Sequence, residues 1–560
     1  MQYSLNSRVS DLYSHPTGRD IVDKLLMQSS MPDWPQEKIS ELRLKSIKRL
    51  TGRTPDASFY NALFDLLNSE PDAPSSEVTT SGHAWWKEAV FYQVYPRDFS
   101  SEGLRGIINK LDYIRELGAG AVILGPVCDS SGNSGACAIR DFSKILPELG
   151  TMRDMSALIA GLHKRGMKLV MDLAVNHTSD EHPWFQDALH NEKSPYRDFY
   201  FFRKGRGNMP PNNWTSLNGG PAWSYYPQQD IWVLHLFSKK QPDLNWESPM
   251  LRNEMHKIVR WWLSRGVDGF RLNAINCISK YAGLPDGDEL MGELMKCTGA
   301  ERYFYGPRHH EYLRELRREV FMPYNAFLAG EALGIGPMAG RLLTDAYREE
   351  LDLIFSSGHL ETPDMTEIDD YQYDFTYLKD FYRTHLNADS GHGWHALSYY
   401  NHDNLRMLSK IDPLGEYAEP LAKLLAVLQF TLRGTPFVYQ GDEIGARNED
   451  IENTRVIMGW DEVARQQEVK ESVWRFYQKI IAWRKKIPAC VYGALEFMET
   501  EDARIFCFCR IHEEGNIFVE VNLSPEIAIS ANPEGAMFVL GNYRNLVSDM
   551  QAYEARVYVY

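Results

Sequence analysis

From Trp85 onward, short apolar runs alternate with amphipathic stretches eight times over, and few architectures accept that pattern. The runs are AVFYQVYP (89–96), AVILGPV (121–127), LVMDLAV (169–175), GFRLN (269–273), FLAGEA (327–332), LDLIFS (351–356), LSYYNHD (397–403) and PFVYQGDE (436–443). Between them lie segments such as LRGIINKLDYIRELG and SPMLRNEMHKIVRWWLSRG, with apolar residues three and four apart, the spacing of one helix face. Strand–helix alternation repeated eight times predicts an α/β chain folded as a (β/α)8 TIM barrel, here over 85–177 and 246–487. The interval between the third and fourth strands is too long for one helix. It carries PPNNWTSLNGGPAW, full of turn residues, and predicts an inserted subdomain over the barrel mouth at 178–245. Past about Lys486 the pattern becomes strictly alternating, in ARIFCFCRI, GNIFVEVNL and EARVYVY. That predicts an antiparallel β-domain at 488–560. Ahead of the barrel, DIVDKLL, EKISELRLKSIKRL and ASFYNALFDLL have helical spacing, and NSEPDAPSSEVTTSG (68–82) has the composition of a linker. Residues 1–84 therefore read as a small helical domain or a clamp on the next one.

A chain of 560 residues is too long for one core, which agrees with several domains. Its net charge of −16 argues against nucleic acid or an anionic membrane surface, because both reward basic patches. A neutral or cationic small ligand remains. No basic start followed by an apolar run marks a secretory signal, and no run of 18 apolar residues marks a membrane span. The seven cysteines are scattered without CxxC spacing, which predicts reduced thiols in a cytoplasm and no structural zinc. Cys507 and Cys509 share a strand face, where packing explains them better than redox chemistry.

In such a barrel the active site lies at the C-terminal ends of the strands. Asp172 lies in the third strand with Asn176 and His177 after it, Arg271 and Asn273 end the fourth, Glu331 ends the fifth, and His402 and Asp403 end the seventh. Polar residues converging from four strands on one rim predict a site. The chemistry they suggest is carboxylate work. Retaining glycoside hydrolysis needs a nucleophilic and an acid/base carboxylate about 5–5.5 Å apart, and neighbouring strands can supply them. Arg271 shares a face with position 273 and would keep a carboxylate there ionised. The histidines could hold sugar hydroxyls. No Gly-rich phosphate loop, HExxH metal motif or cofactor signature competes.

The chain resembles the α-amylase family of glycoside hydrolases (family 13), most closely its oligo-1,6-glucosidase and α-glucosidase branch. MDLAVNHTSDEHPWF, GVDGFRLNAINCISK, FLAGEAL and YYNHDNLR look like that family's four signatures, and RGTPFVYQGDEIG and HLFSKKQPDLNWESP are similar to the branch as well. The resemblance spans about 86–560. It implies Glu331 as general acid/base, Asp403 as transition-state stabiliser, and His177, Arg271, His402 and Arg406 as sugar-binding residues, with a small oligosaccharide or disaccharide as substrate. The nucleophile's place is held by Asn273. An amide is a poor nucleophile and carries no charge, so the chain is expected to be nearly inactive. A single near-isosteric exchange among otherwise intact partners reads as a disabled variant of an active enzyme rather than as a natural pseudoenzyme.

Other departures bear on the substrate. Cys137 and Ala138 stand where the branch has a tyrosine and an aspartate. Arg406 therefore lacks its expected partner, with Asp129 or Asp141 as candidate replacements. Ala138, Ala274 and a helical N-terminal domain are similar to amylosucrases, which keeps a sucrose-active transglucosylase open. DFSSEGLRG after the first strand is too poor in aspartate for the branch's calcium loop, so no metal is expected there. The short segment after the eighth strand predicts a more open entrance. A saccharide-binding protein on the same fold is the reading from another class.

Overall fold

The computed structural model describes residues 83–131, 137–332, 334–356, 358–360, 375–389, 392–399, 404–448, 455–531 and 535–560. It also describes 3–13, 42–46 and the single positions 18, 60, 64, 67, 373 and 533. The proposed linker, 68–82, and most of the expected N-terminal helices lie outside these residues, as do His402 and Asp403.

Eight parallel strands form the centre: β1 (Phe91–Val94), β2 (Ala121–Leu124), β3 (Lys168–Ala174), β4 (Gly269–Asn273), β5 (Phe327–Glu331), β6 (Leu353–Phe355), β7 (Ala396–Leu397) and β8 (Thr435–Tyr439). Their spatial order is β6-β5-β4-β3-β2-β1-β8-β7. A parallel bridge between Ile354 and His395 brings β6 to the start of β7 and closes the ring. The expected TIM barrel is thus present, and β4 keeps the bounds read from GFRLN. Of the described residues of LSYYNHD only Leu397 lies in β7, and 400–403 lie outside the described residues. The run PFVYQGDE leaves the sheet after Tyr439, and Asp442–Ile444 form a 3-10 turn. LRGIINKLDYIRELG is split at Lys110 into helices Leu104–Asn109 and Leu111–Leu117.

Residue parity divides each strand. Phe91, Ile123, Val170, Phe327, Ala329, Leu353 and Phe437 share one apolar cluster, and Val122, Leu169, Met171, Leu272, Leu328 and Ile354 join another. The first fills the barrel and the second packs under the helices, as the two-residue period of a strand requires. Trp85 and Trp86 precede β1 and join the inner cluster, with Trp86 edge-on to Trp394 at 5.8 Å. Gly269 opens β4 because a Cβ there would come within 2.4 Å of the Phe327 carbonyl oxygen.

The insertion between β3 and β4 contains the helix Pro183–His190 and a three-stranded sheet made of Phe202–Arg203, Ile231–Leu234 and Trp223–Tyr226. Beyond the barrel, β9 (Ala494–Met498), β10 (Ile505–Ile511), β11 (Ile517–Asn522), β12 (Met537–Gly541) and β13 (Ala555–Val559) form an antiparallel sheet in the order β9-β10-β11-β13-β12. Cys507 and Cys509 are both buried in β10, in one apolar cluster, as packing predicted.

One buried arginine, Arg510, joins this sheet to the barrel, and a second, Arg484, braces the segments beside it. Arg510 of β10 donates to the carbonyls of Thr431, Cys490, Val491 and Gly493 at 2.7–3.2 Å. Arg484 donates to those of Phe430, Gly434 and Cys490 at 2.8–2.9 Å. These acceptors lie at the C-terminal ends of helices Ala418–Thr431 and Pro488–Tyr492, where carbonyls lack intrahelical donors and the helix dipole favours a cation.

Candidate active site

Register places the site. β3 pairs with β4 so that Asp172 faces Arg271 and Ala174 faces Asn273. β5 pairs with β4 so that Ala329 faces Arg271 and Gly330 faces Leu272. Arg271 and Asn273 therefore point inward together, and Glu331 comes level with Asn273 on the next strand. The Asn273 amide Nδ2 donates to Glu331 Oε2 at 2.8 Å. Arg271, 2% exposed, forks onto Asp172, with Nε to Oδ1 at 2.7 Å and Nη2 to Oδ2 at 2.6 Å. Its Nη2 also lies 3.3 Å from the Tyr95 hydroxyl and 3.9 Å from Glu331 Oε2. The sequence suggested that Arg271 serves position 273; the structure gives its fork to Asp172. A charge-assisted bidentate pair of this kind fixes the guanidinium plane. Burial pushes Asp172 up to about 6, against the opposing pull of Arg271.

The chain turns sharply after Asn273. Ala274 adopts φ +52°, a left-handed conformation that costs an alanine about 1–2 kcal/mol. The 3-10 turn Ile275–Cys277 follows, then Lys280. Lys280 Nζ is buried against Asp243 Oδ2 at 2.8 Å and donates to Asn176 Oδ1 at 3.0 Å. Asp243 also accepts from the Leu236 N–H at 2.9 Å. Three segments (the end of β3, the loop after β4 and the insertion) thus meet at one buried ion pair. His177, 2% exposed, contacts Gln241 of the insertion through Nε2 at 3.1 Å and packs on Phe237. Sequence reasoning missed Tyr95, Gln241, Asp243 and Lys280 as supports. Lys280 stood in plain view in INCISK, seven residues past Asn273.

Burial also holds His177, His182, His256 and His359 down, each to about 4. In an unfolded chain histidine titrates near 6.5, so from about pH 6.5 to 4 the unfolded state binds more protons and stability falls with pH. Asp172 acts in the opposite sense, because its raised value makes the folded state bind the extra proton between about pH 4 and 6. Asp98, Asp180, Glu301, Asp352, Asp442 and Glu443 are raised by burial as well and act with Asp172, so the histidine contribution is read one residue at a time. The stability lost between pH 6.5 and 4 is expected to be smaller in His256→Gln than in the unaltered chain, and an equal loss by circular dichroism would contradict this account.

The model of the alpha amylase catalytic domain matches residues 93–459. The chain belongs to the α-amylase family. Within that family the oligo-1,6-glucosidase of Parageobacillus thermoglucosidasius is 36% identical over 554 residues, covering 85% of this chain and 98% of its own. The trehalose-6-phosphate hydrolase of Bacillus licheniformis is structurally similar, with a TM-score of 0.79 and 30% identity over 85% of this chain and all of the other. The trehalulose synthase MutB of Pseudomonas mesoacidophila MX-45 has a TM-score of 0.78 and 30% identity at the same coverage. A mutant of MutB has been solved with its substrate sucrose.

Against this family background, Arg406 corrects an expectation. It is 1% exposed and pairs with neither Asp129 nor Asp141. Its Nη1 donates to Asp442 Oδ1 at 2.8 Å and its Nη2 to the Gln440 carbonyl at 2.6 Å. Asp442 lies just past β8, so the partner comes from the neighbouring strand end rather than from the Cys137–Ala138 side. Asp129 is taken by Arg140 at 2.6 Å, and Asp141 by Lys144 at 2.9 Å. Arg406 lies over the Tyr439 ring, which packs edge-on against Tyr95, so Arg406 reaches the Arg271 cluster through two aromatic rings. Cys137 instead lines a pocket with Cys128, Ile139, Asp172, Arg271 and Asn273. Asp442→Ala would leave the Arg406 charge buried without this carboxylate, at an expected loss of about 3–5 kcal/mol. Asp129→Ala frees only the part-exposed Arg140 and should cost about 1 kcal/mol or less. Urea midpoints compare the two, and equal shifts would refute the assignment.

Proposed function

We propose that the chain is a retaining α-glucoside hydrolase or transglucosylase for short α-glucosides, acting by double displacement and silenced by the amide at 273. The observation that carries this is the 2.8 Å contact between Asn273 and Glu331 at the ends of adjacent strands. Inverting enzymes hold their two carboxyl groups about 6.5–9.5 Å apart to admit a water, whereas a nucleophile and its acid/base partner sit closer. In this reading Glu331 is the acid/base and position 273 belongs to the nucleophile. Asp403 stabilises the oxocarbenium-like transition state, and His177, Arg271, His402 and Arg406 hold the sugar. Asp172 positions Arg271. The four-part division at 1–84, the barrel, 178–245 and 488–560 belongs to the same proposal.

Sucrose-active transglucosylation is the second reading. Ala138, Ala274 and the sucrose complex of the MutB mutant favour it. A binding protein that retains the sugar site without turnover is the third. One experiment separates them. Asn273→Asp and the unaltered chain are incubated with isomaltose, maltose, sucrose, kojibiose and trehalose, and released sugars are followed by chromatography. The best substrate of the variant identifies the linkage. Binding by both proteins with turnover by neither supports the third reading.

A further inference from the structure

Tyr3, Val9, Leu12, Leu44 and Leu67 form a small apolar core near the N-terminus. Backbone bonds from Val9 N–H to Leu42 O (2.8 Å) and from Leu44 N–H to Ser7 O (3.0 Å) tie its strands of chain together. One buried member comes from far away in sequence. Met291, 4% exposed, belongs to the helix Glu289–Met295, and Leu290 of that helix packs beside it. This helix sits within the arm 274–308 that runs from Asn273 at the end of β4 to the helix His309–Leu316.

The arm is held on its other side by the insertion. Trp214 Nε1 donates to the Pro285 carbonyl at 2.8 Å. The Asn213 side chain exchanges two bonds with Gly287, its Nδ2 donating at 2.9 Å and its Oδ1 accepting at 2.7 Å. The Thr298 N–H donates to Thr215 Oγ1 at 2.8 Å. A seven-residue helix has little stability alone and depends on what packs against it. Without the N-terminal core, Leu290 and Met291 would present an apolar face to water at the middle of this arm. Because the core is part of the same chain, it stays close to the helix at high effective concentration.

We propose that the N-terminal core is an intramolecular clamp. Met291 is the positioning residue through which it presses the arm after β4 against the insertion, fixing the cleft beside position 273. The clamp itself stands on packing alone; its effect on turnover rests on the function proposed above. The experiment is hydrogen–deuterium exchange on the full chain, with Met291→Asp and, from the other side of the contact, Leu12→Ala. Met291→Leu serves as the conservative rescue. Amides of 281–305 are expected to exchange about tenfold faster or more in both disruptive variants and within about twofold of the unaltered chain in Met291→Leu, with β2, β3 and the C-terminal sheet unchanged. Faster exchange confined to residues 3–13 in both variants overturns the clamp. In the Asn273→Asp background, the disruptive variants should raise the disaccharide KM about threefold or more and leave kcat within about twofold, which a loss of folded protein would not do. Equal KM values would overturn the effect on the cleft. If Asn273→Asp is itself silent, the function fails and the exchange data still decide the clamp.

Discussion

Asn273→Asp is expected to raise α-glucoside turnover by about 10³-fold or more. The exchange replaces one amide nitrogen with an oxygen of similar size, and the two carboxyl groups then share a proton across the contact that the amide now bridges. The supports of a working site are already in position: the Arg271–Asp172 fork, the left-handed turn at Ala274 and the Lys280–Asp243 pair. At present the amide donates to Glu331 and occupies it. A carboxylate at 273 would supply both a nucleophile and a negative charge facing the developing oxocarbenium ion. Arg271, although forked onto Asp172, shares the strand face with position 273 and adds a positive charge nearby. Adding Glu331→Gln to the variant should remove most of the gain. The comparison is kcat/KM on the best disaccharide, with circular dichroism to verify folding. A folded Asn273→Asp protein that stays within about tenfold of the unaltered chain on every sugar would sink the proposal.

The largest loss of stability is expected from Arg510→Ala. All three guanidinium nitrogens of Arg510 are engaged by carbonyls, and the side chain is fully buried. Truncation leaves the Thr431, Val491 and Gly493 carbonyls without this donor, while Cys490 keeps Arg484, and each buried unpaired carbonyl costs about 1–3 kcal/mol. With partial relaxation the total is expected to be about 4 kcal/mol or more, read as a shift of the urea midpoint at unchanged slope. Arg510→Lys should recover part of this, because an ammonium keeps the charge but offers three donors in place of a planar fork. A loss below about 1 kcal/mol for Arg510→Ala would mean that water replaces the guanidinium.

What could be read from the sequence was whatever depends on near neighbours and on pattern. GFRLN shows its strand through parity, and the same parity puts Arg271 and Asn273 on one face. The pairing of adjacent strands then brings Glu331 to Asn273 without further assumption. The choice of Asp442 for Arg406 was hidden, because it depends on how β8 breaks into a turn after Tyr439. Asp129 and Asp141 were nearer to the substituted Cys137–Ala138 pair in sequence but had local cations of their own. Gln241 on His177 and Met291 in the N-terminal core were equally hidden, since each joins segments whose patterns carry no trace of the other. The split at Lys110 is of a different kind. Both halves keep helical spacing, so periodicity alone could not reveal the break.

The arginine junction also bears on how the chain can be made. The Thr431 carbonyl at the end of a barrel helix waits for a donor 79 residues further along. On a ribosome the barrel strands are all synthesised before Arg510 emerges, and although Arg484 already serves Phe430 and Cys490, the Thr431, Val491 and Gly493 carbonyls lack this donor until it does. Completion of the barrel is thereby deferred to the C-terminal sheet. A nascent chain halted between β8 and β10 would hold an assembled ring of strands with an open seam, the kind of intermediate that chaperones bind.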